Sequence, residues 1–225
     1  MIKETQRDDR MKKTLYSLML NDDVVREVDI LAHSLGTNRS NLINQILAEY
    51  VNYTTPERRI NDILSAIETI MQPSRELVPF FAPNSFSMSL KSSLEFKYRP
   101  TVKYEVELFR SGGESIGELS VVFRTQSMTL INGMTEFFRL WKQIEDAHLR
   151  SHTGAAIDYA LYDGKFVRSI AAPDRNCTSD ELAAALSEYI KLFDRLMKGY
   201  LSGRFDGHDV EAAYYSHMIN SAVHI

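Results

Sequence analysis

The sequence predicts an α+β protein in two parts: an N-terminal strand with two short helices, then a mixed α and β domain built on an antiparallel meander. Three observations predict it. Apolar residues recur at helical spacing in two capped segments between residues 21 and 51. Alternating apolar and polar residues fill three segments between 86 and 124, with Ser111-Gly112-Gly113-Glu114 as the turn between the last two. A hairpin signal at Asp163-Gly164 and a strong helix from Thr178 complete the second part.

In chain order, "KKTLYSLML", Lys12 to Leu20, reads as a strand with no second strand near it in sequence. Its backbone N–H and C=O groups need a partner from elsewhere. Asn21 is the natural N-cap of a first helix, Asp22 and Asp23 add negative charge in its first turn, and Val24, Val25, Val28, Leu31 and Leu35 follow at helical spacing. Gly36 ends it. Asn38 caps a second helix with Leu42, Ile43, Ile46, Leu47, Tyr50 and Val51 on one face.

This strand, helix, helix order resembles the ribbon-helix-helix family of DNA-binding proteins, the Arc and methionine repressor-like group. The resemblance covers residues 12–53 and rests on the alternating strand, on Leu20-Asn21-Asp22-Asp23, and on "GTNRSNLI", which looks like the family's Gly-x-x-Arg-Ser-x-x-Ile turn. It implies that the missing strand partner is the same strand of a second chain, paired antiparallel in a homodimer. It also implies that three alternating outward side chains enter the DNA major groove. With Tyr16, Leu18 and Leu20 inward, these are Leu15, Ser17 and Met19. Only Ser17 can exchange hydrogen bonds with a base edge, while Leu15 and Met19 offer apolar contact to thymine methyl groups. Phosphate contacts are expected from Arg10, Lys12 and Lys13 beside the ribbon and from Asn38, Arg39 and Ser40 at the second helix start, where unsatisfied N–H groups favour an anion. A dimerising ribbon without DNA and a self-capped turn without a ligand are the plainer alternatives.

A third helix follows, with Thr55 as N-cap, Pro56 at its first position and Ile60, Ile63, Leu64, Ile67, Ile70 and Met71 on one face. "PSRELVPFFAPNS" then reads as an irregular connection. The expected organisation is a DNA-binding module with its arm at 1–54, a connecting helix and linker at 55–84, and a regulatory or oligomerisation domain at 85–225. That last domain should hold strands at 86–97, 101–110 and 116–124, a helix at 127–150, the hairpin, a helix at 178–201 with a Thr178–Glu181 capping box, and a last helix at 208–222.

Chemistry is sparse in the second part. Phosphate-loop, dinucleotide and nucleophile-elbow spacings are absent from the sequence. Glu145, His148 and His152 share one helix face and could hold a metal, but a solvated helix end with cationic residues near its C-terminus accounts for them, so no metal and no cofactor are expected. The lone Cys177 reads as an ordinary free thiol, which fits a reducing cytoplasm. The aromatic residues between 80 and 141 read mainly as core.

An apolar fraction of 44% and a charged fraction of 25% describe a soluble globular chain; the polar start is not a signal peptide, and no apolar run approaches a membrane span. A net charge of −4 disfavours a protein that coats nucleic acid. The expected function is therefore a cytoplasmic, bacterial-type transcription regulator, by family analogy a repressor, that binds double-stranded DNA at a two-fold operator as a homodimer. Its C-terminal domain would regulate it or join dimers into a higher oligomer. An antitoxin, or an accessory protein of plasmid maintenance or DNA transfer, would use the same module with a protein-binding C-terminal domain. An enzyme is the least supported class.

Overall fold

Side-chain caps set most of the helix starts, as the spacing of Asn, Asp, Ser and Thr predicts. The computed structural model describes residues 15–81, 86–96, 99–111, 113–150, 152–153, 156–162 and 164–225. Asn21 accepts from the Asp23 N–H at 2.9 Å to begin α1 (Asp22–Ser34), and Asn38 accepts from the Asn41 N–H at 2.9 Å to begin α2 (Arg39–Tyr50). Both helices end in the same backbone motif. After α1, Gly36 adopts φ +62° while the N–H groups of Gly36 and Thr37 donate to His33 and Ala32. After α2, Asn52 at φ +56° plays that part, and Asn52 and Tyr53 donate to Glu49 and Ala48. Thr55 then caps α3 (Pro56–Met71), donation coming from the Arg58 N–H at 3.2 Å.

The chain divides into two compact units, Met1–Arg59 and Ile60–Ile225. In the first, the only buried apolar residues among those described are Ala32, Leu42 and Ala48. Residues 15–20 form no strand in the single chain.

The second unit is built on a six-stranded antiparallel sheet in the order β1-β2-β3-β4-β6-β5. Its strands are β1 (Val78–Phe81), β2 (Ser87–Ser93), β3 (Thr101–Leu108), β4 (Ser115–Phe123), β5 (Tyr159–Tyr162) and β6 (Lys165–Ala171). The meander and hairpin thus form one sheet. The segment expected to be an irregular connection contributes β1, which pairs with β2 as an edge strand; only an edge tolerates Pro79 there, because proline has no N–H for a ladder. Helices α4 (Met128–His148), α5 (Ser179–Leu201) and α6 (Gly207–Asn220) complete the unit, giving six helices in all among the described residues. At α5 the expected capping box closes, with Glu181 N–H to Thr178 Oγ1 at 3.1 Å and Thr178 N–H to Glu181 Oε2 at 2.8 Å.

Alternation decides which sheet face is buried. Leu90, Tyr104, Val121 and Phe166 lie on one face with exposures of 0–2%, in one apolar cluster with residues of α4, α5 and α6. Phe138 of α4 stacks on Phe166 at 5.0 Å and Phe193 of α5 meets Tyr104 edge-on at 6.1 Å. The apolar stripe of α3 from Ile60 to Met71 joins this cluster. The opposite face carries Ser89, Glu105, Ser120 and Val167 in one cross-strand row. No helix among the described residues is long and apolar enough to cross a membrane.

Candidate nucleic-acid interface

In the first unit the side chains expected to read bases are open to solvent. Leu15 is 94% and Met19 103% exposed, and Ser17 is exposed as well. On the other register, exposure falls toward α1: Tyr16 79%, Leu18 62%, Leu20 43%. Arg10, Lys12 and Lys13 lie outside the described residues.

At the start of α2, Asn38 spends its carbonyl oxygen on the cap, and Ser40 is exposed beside it. Arg39 is held in a bidentate pair with Asp29 of α1: Nε donates to Oδ1 at 2.6 Å and a terminal guanidinium N–H donates to Oδ2. Arg39's hydrogen bonds hold the Asp29 carboxyl below the usual carboxylate range. Arg39, expected to meet a phosphate, has its guanidinium engaged by Asp29. That clamp was missed because its partners are ten residues apart on different helices.

The second unit holds a buried polar network around Glu145, which is 1% exposed and thus core, not part of a solvated helix end. Arg168 Nε donates to both of its oxygens, at 3.1 and 2.9 Å, while the hydroxyls of Tyr159 and Tyr189 donate at 2.8 and 2.9 Å. The Tyr214 hydroxyl adds a longer bond at 3.4 Å, and Trp141 Nε1 donates to the Tyr189 hydroxyl at 2.8 Å. Burial, reinforced by the Glu145 charge, pushes the phenols of Tyr159 and Tyr214 upward, so both remain donors. Burial is the largest influence on the Arg168 guanidinium and would lower it, but Glu145, Tyr189 and Tyr159 together outweigh it and the net direction is upward. So many donors leave the carboxylate oxygens little capacity for a metal ion.

His148 and His152 do not converge with it. His148 Nε2 meets Glu211 at 2.7 Å, whereas His152 Nδ1 lies 3.0 Å from the His148 carbonyl oxygen and its ring packs against His224. Among the described residues no three His, Cys, Asp or Glu side chains are grouped to hold a metal ion. A cavity of about 260 Å³ opens beside the network, with Tyr189, Tyr214, His217, Met218, Val223 and His224 among its walls.

No family model, curated protein or solved structure matches the chain.

Proposed function

We propose that the chain is a cytoplasmic, bacterial-type DNA-binding regulator, a repressor, that binds a two-fold operator as a homodimer through an intermolecular ribbon of residues 12–20. One observation carries the dimer. Of twenty-one large apolar side chains exposed among the described residues, fourteen belong to residues 15–59. Leu31, Leu35, Ile46 and Leu47 are each 45–51% exposed, so completing their burial against a second copy is worth roughly 1 kcal/mol each. The falling exposure of Tyr16, Leu18 and Leu20 supports the register that turns them inward. The sequence resemblance carries the DNA. Leu15, Ser17 and Met19 read bases; the exposed α2 start, with Asn38, Arg39 and Ser40, meets phosphate, and Arg10, Lys12 and Lys13 add charge at the ribbon. The protein is a binding protein in this reading, not an enzyme.

Selection of tight binders from random duplex DNA by the full chain tests it. A two-fold sequence should be enriched. Ser17→Ala and Met19→Ala should narrow the gap between that sequence and random DNA, by about 1–3 kcal/mol for each base-reading interaction removed. Lys13→Ala should weaken all sequences alike and lower the salt slope. No enriched sequence would sink the proposal.

A further inference from the structure

The face of the sheet turned away from the core carries its charges in rows, not at random. Lys91 of β2 stands opposite Lys103 of β3, Lys103 opposite Val122 of β4, and Val122 opposite Lys165 of β6. Four residues along the strands, Glu107 of β3 stands opposite Glu118 of β4, which faces Ser169. Asp158, bonded through its backbone to Ser169, continues this acidic row beyond β6. Between the two rows lie Ser89, Glu105, Ser120 and Val167, mostly small. Lys91, Glu107 and Glu118 are exposed, and Lys103 and Lys165 partly so.

Two like-charged pairs directly across a ladder, Lys91 with Lys103 and Glu107 with Glu118, disfavour the sheet that holds them. Glu105 relieves one, through its ion pair with Lys103 in the same strand. Nucleic acid does not fit this face, since the acidic row and Glu105 would repel phosphate. A partner must carry the complementary pattern at the same spacing. A second copy does so by symmetry.

We propose that this face pairs with the same face of a second chain, about a two-fold axis that crosses the strands over the Ser89–Glu105–Ser120–Val167 row. That operation reverses the strand direction and lays each basic row on the partner's acidic row, the isologous arrangement of a symmetric dimer. Lys103 then meets Glu107 of the other copy, and Lys165 lies beside the other copy's Glu118. Glu105, on the axis, is drawn by its own Lys103 away from its twin. The small middle row lets the sheets approach to the ordinary spacing of about 10 Å. Five strands at about 4.8 Å and seven residues at about 3.4 Å cover roughly 600 Å² per chain, near the lower limit of stable interfaces. The association is weak and salt-sensitive, and would join ribbon-paired dimers through avidity.

Full-length protein grown on ¹⁴N and on ¹⁵N, mixed at about 0.1 mM and treated with a zero-length carbodiimide, tests the geometry. The expected product is a mixed-isotope Lys165–Glu118 link. Within one chain these residues are offset by four positions on neighbouring strands, too far for such a link. Lys103→Glu and Glu107→Lys should each cut the link at least tenfold, since each places like charges at two symmetric contacts, with near-ultraviolet circular dichroism unchanged. A one-to-one mixture of the two variants should restore it, because both contacts become attractive. Absence of the mixed-isotope link in the parent, its persistence in the single variants, or failure of the mixture to restore it would overturn the proposal.

Discussion

At the level of single residues, the Glu145–Arg168 pair shows how an inward charge is made tolerable. Both side chains are fully shielded from solvent, and taking two ions out of water costs several kcal/mol for each unless hydrogen bonds compensate. Three tyrosine hydroxyls and the Arg168 Nε–H shared between both carboxylate oxygens do so here. Glu145→Gln should therefore destabilise the protein by about 3–5 kcal/mol in urea unfolding, because it removes the side-chain carboxylate paired with the buried guanidinium. The Glu145→Leu/Arg168→Met double variant should lose at least 1 kcal/mol less than the two single losses together. Part of this was legible. In "KFVRSIAA" Arg168 falls on the same alternate register as Phe166 and Ile170, and an arginine on an apolar register needs a buried partner. Its partner was not legible, because Glu145 lies 23 residues away on another element and its i+3 neighbour His148 suggested a metal site.

Two histidines give the second unit a pH dependence with a defined sign. Burial chiefly, then for His217 the balance of Glu188, Arg195 and His224, and for His224 the nearby His152, hold both below the ordinary 6.5. The unfolded chain binds protons first. Stability is therefore fully present above about pH 6.5 and is lost as pH falls through the lowered values. The urea midpoint should drop between pH 7.5 and 5.5, and His217→Asn/His224→Asn should flatten that fall; a midpoint rising toward acid would contradict the assignment.

At the level of elements, two helical glycines set opposing effects against each other. Replacing a mid-helix glycine by alanine gains about 1 kcal/mol from backbone entropy. At Gly133 of α4 the new methyl would meet only the Leu201 Cδ2 at 3.1 Å, a tip that can turn aside, so Gly133→Ala should be neutral or mildly stabilising. At Gly199 of α5 it would overlap the Phe205 ring, and overpacking costs about 1–3 kcal/mol. Gly199→Ala should lower the thermal midpoint while Gly133→Ala does not. Helices and strands with their own local signals were read close to their bounds: α3 from Pro56 and its stripe, α5 from its capping box, the β5–β6 hairpin from Asp163-Gly164. β1 was not, because Pro79 and the flanking prolines give the signal of a loop and only pairing with β2 makes Val78–Phe81 a strand.

Across the whole molecule, apolar burial is unevenly shared. The second unit closes a core of aromatic and aliphatic side chains, whereas the first leaves most of its apolar faces open. Hydrogen exchange on the full chain should show this as two behaviours. Amides of α1 and α2 should gain protection as protein concentration rises from micromolar to millimolar, while those of β3, β4 and α5 should be protected throughout. Equal protection of α1 and α2 at every concentration would argue against an intermolecular ribbon. The two helices of the first unit were legible from caps and periodicity, whereas the strand expected ahead of them is not formed by residues 15–20 of the single chain, because a lone strand has no ladder partner within its own unit.

The sequence contains one tryptophan, Trp141, and its indole N–H ends on the Tyr189 hydroxyl inside the Glu145 network. The molecule thus carries its own optical reporter. Indole fluorescence should follow the second unit alone and stay silent when α1 and α2 open, while far-ultraviolet circular dichroism records both. A dilution series followed with the two signals separates opening of the first unit from unfolding of the second, without a label or a truncation.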